Sequence, residues 1–232
     1  MNIVITGASK GLGRAIALGL AAPGHHFFLS SRSLASLEAV RAEILFISPQ
    51  CQVHLFPADL SKTEEVKKFG AWVLQSAVPD VLVNNAGLFN PGSVHNEPEG
   101  SMEEMMAINF FSAYHLTRVF TPEMIRRRSG HIFNMCSIAS LHAYDNGGAY
   151  SISKFALYGF SKNLRKELMP HAIKVTHVIP GAVYTDSWSG SGIDPKRIME
   201  ANDIAQLVKA AISLSPQACV EEIVVRPTAG DL

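Results

Sequence analysis

Asn2-Ile3-Val4-Ile5-Thr6-Gly7-Ala8-Ser9-Lys10-Gly11-Leu12-Gly13 is the stretch that decides the fold. Asn2 to Thr6 read as a short apolar strand, and a helix is expected from Gly13 to near Pro23-Gly24. A strand that passes through a glycine-rich turn into a helix offers free backbone N–H groups and the positive end of a helix dipole. Together these bind a pyrophosphate. Glycine lets the backbone turn sharply and lets phosphate and helix come close. The spacing is G-x-x-x-G-x-G rather than G-x-G-x-x-G. Such a turn alone is weak evidence, and its place after a first strand and before a helix gives it weight.

Working outward, further strands are expected at His26 to Ser30, Gln52 to Pro57, Asp80 to Asn84, His131 to Ser137, Ile173 to Ile179 and Glu222 to Arg226. Most are continuously apolar, as parallel strands covered on both faces are. Helices are expected from Ser33 to about Ser48, from Ser61, across Ser101 to Arg128, from Tyr150 to Met169, and from Asn202 to Ser213. Ser61 and Glu64 have the spacing of a capping box. This alternation predicts an α/β fold, a doubly wound parallel sheet with helices on both faces, in one domain over residues 1–232. Thr185 to about Asp203 is the one long irregular stretch late in the chain and is expected as a lid or binding loop.

Composition narrows the function classes. Hydrophobic residues at 47% against 17% charged support a sizeable core and exclude disorder. Lys plus Arg equals Asp plus Glu at 20 each, so nothing invites nucleic acid or a basic partner. Arg126-Arg127-Arg128 precedes an expected helix end, where cations suit the dipole and stay solvated. The cysteines Cys51, Cys136 and Cys219 are scattered and lack C-x-x-C spacing, so neither a disulfide nor a zinc site is expected. Cys136, beside Ser137, reads either as a reactive thiol near a site or as a small buried apolar residue. No His/Asp/Glu cluster calls for a metal. No charged leader precedes the first strand and no apolar run reaches the roughly 18–20 residues of a membrane helix. A cytoplasmic protein without membrane attachment is the default expectation.

Two further constellations carry chemistry. An acid at the end of the second strand would hold a ribose 2′-OH. Here Ser30-Ser31-Arg32-Ser33 stands there instead. Arg32, with Lys10 in the glycine turn, favours a 2′-phosphate and hence NADP(H) over NAD, the alternative being two solvated surface charges. Asp59, followed by Leu60 after the third strand, is placed to meet the adenine edge. Asn84-Asn85-Ala86-Gly87 ends the fourth strand at the same sheet edge, where small residues let backbone pass close to a cofactor. Tyr150 and Lys154, four apart, share a helix face. A nearby ammonium and a cationic nicotinamide favour phenolate, so Y-x-x-x-K is a sensible acid/base unit, although alone it is common on exposed helices.

The glycine turn, N-N-A-G, Ser137 13 residues before Tyr150, and Y-x-x-x-K together resemble the short-chain dehydrogenase/reductase family over essentially the whole chain. The resemblance implies a Rossmann-type sheet of seven strands in the order 3-2-1-4-5-6-7. It implies a catalytic set of Asn109, Ser137, Tyr150 and Lys154. Tyr150 would be the acid/base, Ser137 would orient the substrate carbonyl, Lys154 would bind the nicotinamide ribose and favour the Tyr150 phenolate, and Asn109 would support a proton-relay water. The cofactor would lie along Gly7, Ser9, Lys10, Gly11, Leu12, Gly13, Arg32, Asp59, Leu60, Asn85, Ala86 and Gly87. It would end at Tyr150, Lys154 and the segment Pro180, Gly181, Val183 and Thr185. The implied reaction interconverts a carbonyl and a secondary alcohol on a small molecule. Reduction of 3-oxoacyl thioesters, reduction of pterins in the manner of sepiapterin reductases, and a non-catalytic NADP-binding regulator are the alternatives. His142 and Tyr144 lie where the family lines its substrate pocket, and read either as pocket or as exposed loop. The family also implies a homodimer or homotetramer built on the helices around Ser101 to Arg128 and Tyr150 to Met169. Phe110, Phe111, Tyr114, Phe155, Leu157, Tyr158 and Phe160 offer apolar surface there.

Overall fold

The structure is a computed structural model that describes residues 1–185, 188 and 192–231. In chain order the elements are β1 (Asn2–Thr6), α1 (Gly11–Gly19), β2 (His26–Ser31), α2 (Leu34–Ile47), β3 (Gln52–Pro57), α3 (Thr63–Leu74) and β4 (Val81–Asn84). There follow α4 (Ser101–Met106), a π-helical stretch (Ala107–Phe111), α5 (Ser112–Arg127), β5 (His131–Met135), α6 (Gly148–Leu168) and β6 (Lys174–Pro180). The chain continues through β7 (Val183–Tyr184), β8 (Met199–Glu200), α7 (Ala201–Ser213) and β9 (Glu222–Val225).

Among the described residues, seven strands form one sheet in the order β3-β2-β1-β4-β5-β6-β9, every pair parallel. Counted within that sheet, this is the order expected. The difference is the separate pair β7–β8, two residues each, between the sixth and last strands. Side chains alternate across the sheet with period two. Ile3, Ile5, Phe27, Leu29, Val81, Val83 and Phe133 pack under α1, α2 and α7. Val4, Phe28, Leu82, Ile132 and Val175 pack under α3, α5 and α6. A one-residue slip would exchange these two sets, so burial on both faces fixes the register. β1 lies in the middle of the sheet, and α1 packs against α7 closely enough that a Cβ on Gly19 would sit 3.1 Å from Ala205 Cβ.

Several boundaries differ from expectation for local reasons. α1 begins at Gly11 and ends at Gly19, short of Pro23-Gly24. The Ser61–Glu64 capping box does not form: α3 starts at Thr63, while Ser61 Oγ donates to Asp59 Oδ1 at 2.7 Å. Asp59 Oδ1 also accepts the Ser61 N–H at 3.2 Å, the donor that Glu64 would take in a capping box. The single helix expected from Ser101 to Arg128 is split by the π-helical stretch. β5 stops at Met135, and Ser137 caps a 3₁₀ turn, Ile138–Ser140, instead of ending the strand. The expected irregular stretch from Thr185 includes positions outside the described residues; its described end is ordered as a 3₁₀ turn at Pro195–Arg197, β8 and the start of α7. Arg127 is not merely solvated. It pairs with Asp80 at 3.1 Å and donates to Pro79 O at 2.6 Å, tying the end of α5 to the start of β4. Among the described residues, no helix is long and apolar enough to cross a membrane.

Candidate active site

The glycine turn is built by the end of β4. Gly7 and Gly11 take φ of 62° and 52°, left-handed conformations that favour glycine. A Cβ on Gly13 would lie 2.3 Å from Gly7 O and 2.5 Å from Asn85 Nδ2, so α1 can close on the turn only with glycine there. Asn85 Nδ2 donates to Thr6 O at 3.0 Å and Gly7 O at 3.1 Å, and the Asn85 and Ala86 amides donate to Thr6 Oγ1. The Asn85 side chain therefore braces the turn. Lys10 precedes α1 with extended backbone and adds no side-chain cap, which leaves the positive helix end facing the groove.

At the end of β2, Ser31 is buried and Arg32 exposed. The neighbouring cations Arg14 and Arg41 are paired with Glu43 and Glu38. Asp59 lies past β3, its carboxyl held below the usual range chiefly by the Ser61 hydroxyl and further by Lys62. Leu60 beside it is buried. Pro180 ends β6 and Gly181 follows it; a Cβ on Gly181 would meet Asp231 Oδ1 at 2.9 Å. Val183 is buried in β7. Thr185 approaches the turn, 3.5 Å from where a Gly11 Cβ would stand. These elements share one sheet edge. Gly7, Gly11 and Gly13 bring no side chains of their own to the turn, and the exposed Arg32 follows β2 at the same edge. The residues present fit a dinucleotide.

The residues expected as an acid/base group lie around the end of β5. Lys154 is buried, and its Nζ donates to Met135 O at 2.8 Å. Nζ lies 5.7 Å from the Tyr150 ring centroid and 3.7 Å from where a Gly87 Cβ would be. Phe89 meets Tyr150 edge-on, with ring centroids 4.8 Å apart. Asn109 sits in the π-helical stretch, where the extra residue per turn re-aims it inward. Its Oδ1 accepts Leu88 N–H at 2.7 Å, and its Nδ2 donates to Leu88 O and to Ser153 Oγ. Asn109 thus clasps the loop after β4 to α6. Ser137 Oγ accepts the Ala139 N–H at 3.2 Å. Ser151 Oγ, on α6, donates to Ala139 O at 2.8 Å, which fixes that turn against the helix bearing Tyr150.

Tyr144 is largely exposed, yet partial burial and nearby Tyr150 push its phenol up to about 12. It also lines a cleft of about 330 Å³ with His95, Asn146, Ile152 and Phe155. His142 is exposed. Burial pushes the Cys136 thiol up to about 12, against the pull of Lys154, so it is an inert packing residue. Of the apolar residues on α5 and α6, Leu157 joins the core, whereas Phe111 and Phe155 remain exposed. Among the described residues, no group of His, Cys, Asp or Glu is placed to hold a metal ion. Sequence reasoning missed Phe89, Ser153 and the bracing role of Asn85. Each acts through a contact to residues distant in the chain, and none has a local signature.

A family profile described as short chain dehydrogenase matches residues 1–195. The chain belongs to the short-chain dehydrogenase family. This short-chain dehydrogenase is similar to the sepiapterin reductase of Chlorobaculum tepidum, at 34% identity over 239 residues, covering 99% of this chain and 97% of that one. Among solved structures it resembles a metagenomic short-chain oxidoreductase in complex with NADP, at 33% identity and TM-score 0.84, covering 98% and 97% of the two chains. It also resembles an alcohol dehydrogenase from the archaeon Thermococcus sibiricus complexed with 5-hydroxy-NADP, at 29% identity and TM-score 0.90, covering 100% and 98%.

Proposed function

We propose that this dehydrogenase uses NADP(H) to interconvert a small-molecule carbonyl and its secondary alcohol, with Tyr150 as the acid/base. The observation that carries the reading is the buried Lys154 ammonium beside the Tyr150 ring at the sheet edge, next to a glycine turn fit for a dinucleotide. The cofactor supplies the hydride. This chain's residues hold it and move the proton. Gly11 to Gly13 and the first turn of α1 face the pyrophosphate, and Arg32 with Lys10 meets the 2′-phosphate. Asp59 and Leu60 flank the adenine. Val183 and Thr185, after Pro180-Gly181, hold the carboxamide. Ser137 hydrogen-bonds the substrate oxygen, because a developing alkoxide needs a placed donor. Tyr150 O–H gives its proton to that oxygen, and Lys154 holds the ribose and stabilises the phenolate left behind. Asn109 holds the framework through Leu88 and Ser153. We read residues 1–232 as one domain that works as a homodimer or homotetramer in the cytoplasm.

The sepiapterin reductase relative favours a pterin among the substrates to test. The experiment follows NADPH oxidation with a panel of ketones, diketones, pterins and 3-oxoacyl thioesters, with Tyr150→Phe beside the wild type. General acid–base catalysis contributes roughly 10²–10⁴-fold, so turnover should fall by about that factor while NADPH still binds. Near-wild-type turnover in Tyr150→Phe would refute the mechanism, and silence on the whole panel would refute the activity.

A further inference from the structure

Glu97 lies in the loop between β4 and α4, far in sequence from Tyr150. Its Oε2 accepts the Ala149 N–H at 3.1 Å. Ala149 is in the first turn of α6, immediately before Tyr150. The same loop touches that turn elsewhere. Gly92 N–H donates to Asn146 O at 3.0 Å, Ser93 Oγ donates to Asn146 Oδ1 at 3.2 Å, and Phe89 packs on the Tyr150 ring. Gly148 lies beneath the contact with φ of 35°; a Cβ there would sit 2.4 Å from Gly92 O and 2.6 Å from Glu97 Oε2. The near end of the loop is anchored separately by the Asn109 clasp on Leu88.

α6 begins after Gly147 and has no side-chain cap from its own chain neighbourhood. A long helix whose first amides lack an acceptor frays in its first turn. Glu97 supplies that acceptor from another loop, with a carboxylate that suits the positive helix end. We propose that Glu97 is a positioning residue for the reaction: it fixes the first turn of α6 so that the Tyr150 phenol meets the substrate oxygen. The proposal rests on the reading of Tyr150 as acid/base. Glu97 touches neither substrate nor cofactor. The groove at Gly11 to Gly13 is built on other elements, so losing Glu97 affects kcat and leaves NADPH binding in place.

The test measures kcat, substrate KM and NADPH Kd in Glu97→Ala, Glu97→Gln and Gly148→Ala, with exposed Glu99→Ala as control. Misplacement by about 1 Å costs up to roughly 10²-fold, so kcat in Glu97→Ala should fall about 10–100-fold with NADPH Kd within about twofold. Glu97→Gln keeps an acceptor oxygen and should retain at least about a third of kcat. Gly148→Ala pries the loop from the helix and should behave as Glu97→Ala. If Glu97→Ala is insoluble, Glu97→Asp, one methylene too short, takes its place. Wild-type kcat in the short variant, Glu97→Gln as impaired as Ala, or NADPH affinity lost together with kcat would overturn the proposal. The two readings fail separately. An active Tyr150→Phe overturns the acid/base assignment, and Glu97 with it. An inactive Tyr150→Phe beside a fully active Glu97→Ala overturns Glu97 alone.

Discussion

Replacing Gly13 with alanine tests how tightly the cofactor groove is built. The new Cβ would stand 2.3 Å from Gly7 O, where ordinary contact begins near 3.4 Å, so α1 and the turn must part by about 1 Å. The turn cannot give way easily. Asn85 Nδ2, itself 2.5 Å from the new atom, holds Thr6 O and Gly7 O, and the amides of Asn85 and Ala86 are held by Thr6 Oγ1. Overpacking of this kind costs typically 1–3 kcal/mol, and a clash with braced backbone belongs at the upper end. In a domain of this size each kcal/mol lowers Tm by about 2–4 °C, so a fall of roughly 6–12 °C is expected. The same displacement moves the α1 amides away from the phosphate, and NADPH affinity should drop by about tenfold or more. Differential scanning calorimetry and an NADPH fluorescence titration read the two effects. A Gly13→Ala protein with wild-type Tm and NADPH Kd would refute the account of the groove.

Arg32→Asp removes the fork for a 2′-phosphate and supplies a partner for a 2′-OH. NADPH Kd should rise by roughly 10–100-fold and NADH Kd should fall, and a wild type that binds both equally well would sink the assignment. Ser137→Ala should lower kcat by about 10²-fold or more through the lost donor to the developing alkoxide, with little change in NADPH Kd; unchanged turnover would exclude that role. Stability should also depend on His131. It is buried, stacked on Phe133 and bonded to Thr176 Oγ1, and burial chiefly, with Lys174, lowers its pKa from 6.5 to about 3. The unfolded chain therefore binds a proton below about pH 6.5 that the folded chain refuses until about pH 3, and stability is lost as pH falls through that window. At pH 5 the loss is roughly 2 kcal/mol. Urea unfolding of His131→Asn should show a pH slope shallower by that amount between pH 7 and 5, and an identical slope would refute it.

Much of this was legible in the chain because it is written locally. Apolar runs such as Asn2–Thr6 and Val81–Asn84 are strands because both sheet faces are covered, and that demand leaves its mark residue by residue. Tyr150 and Lys154 were legible because a helix turn fixes their relation whatever surrounds them. Other features depend on partners the sequence does not pair. Asn109 reads as one residue of a long helix, and only packing on Leu88 and Ser153 shows why that helix takes a π turn around it. Ser61 offered a capping box on spacing alone, but Asp59 two residues earlier takes the Ser61 backbone N–H that Glu64 would have accepted. Asn85 was expected along the cofactor path, but that its amide braces the turn depends on Thr6 and Gly7, far away in the chain. Glu97 has no signature at all, since its acceptor role exists only once β4 and β5 are side by side.

The place of β1 inside the sheet has a consequence for how this fold comes into being on the ribosome. β1 is made before both of its neighbours, β2 soon after and β4 much later. Its helix α1 waits longer still, because the surface it rests on is α7, which begins at Ala201. At about 5–20 residues per second, α1 is synthesised roughly 10–40 s before its cover. During that interval the flank of α1 that α7 covers, with Gly19 on it, stays open to the solvent. Slow late translation therefore lengthens the period in which the nascent chain can be captured by a chaperone or lost to aggregation.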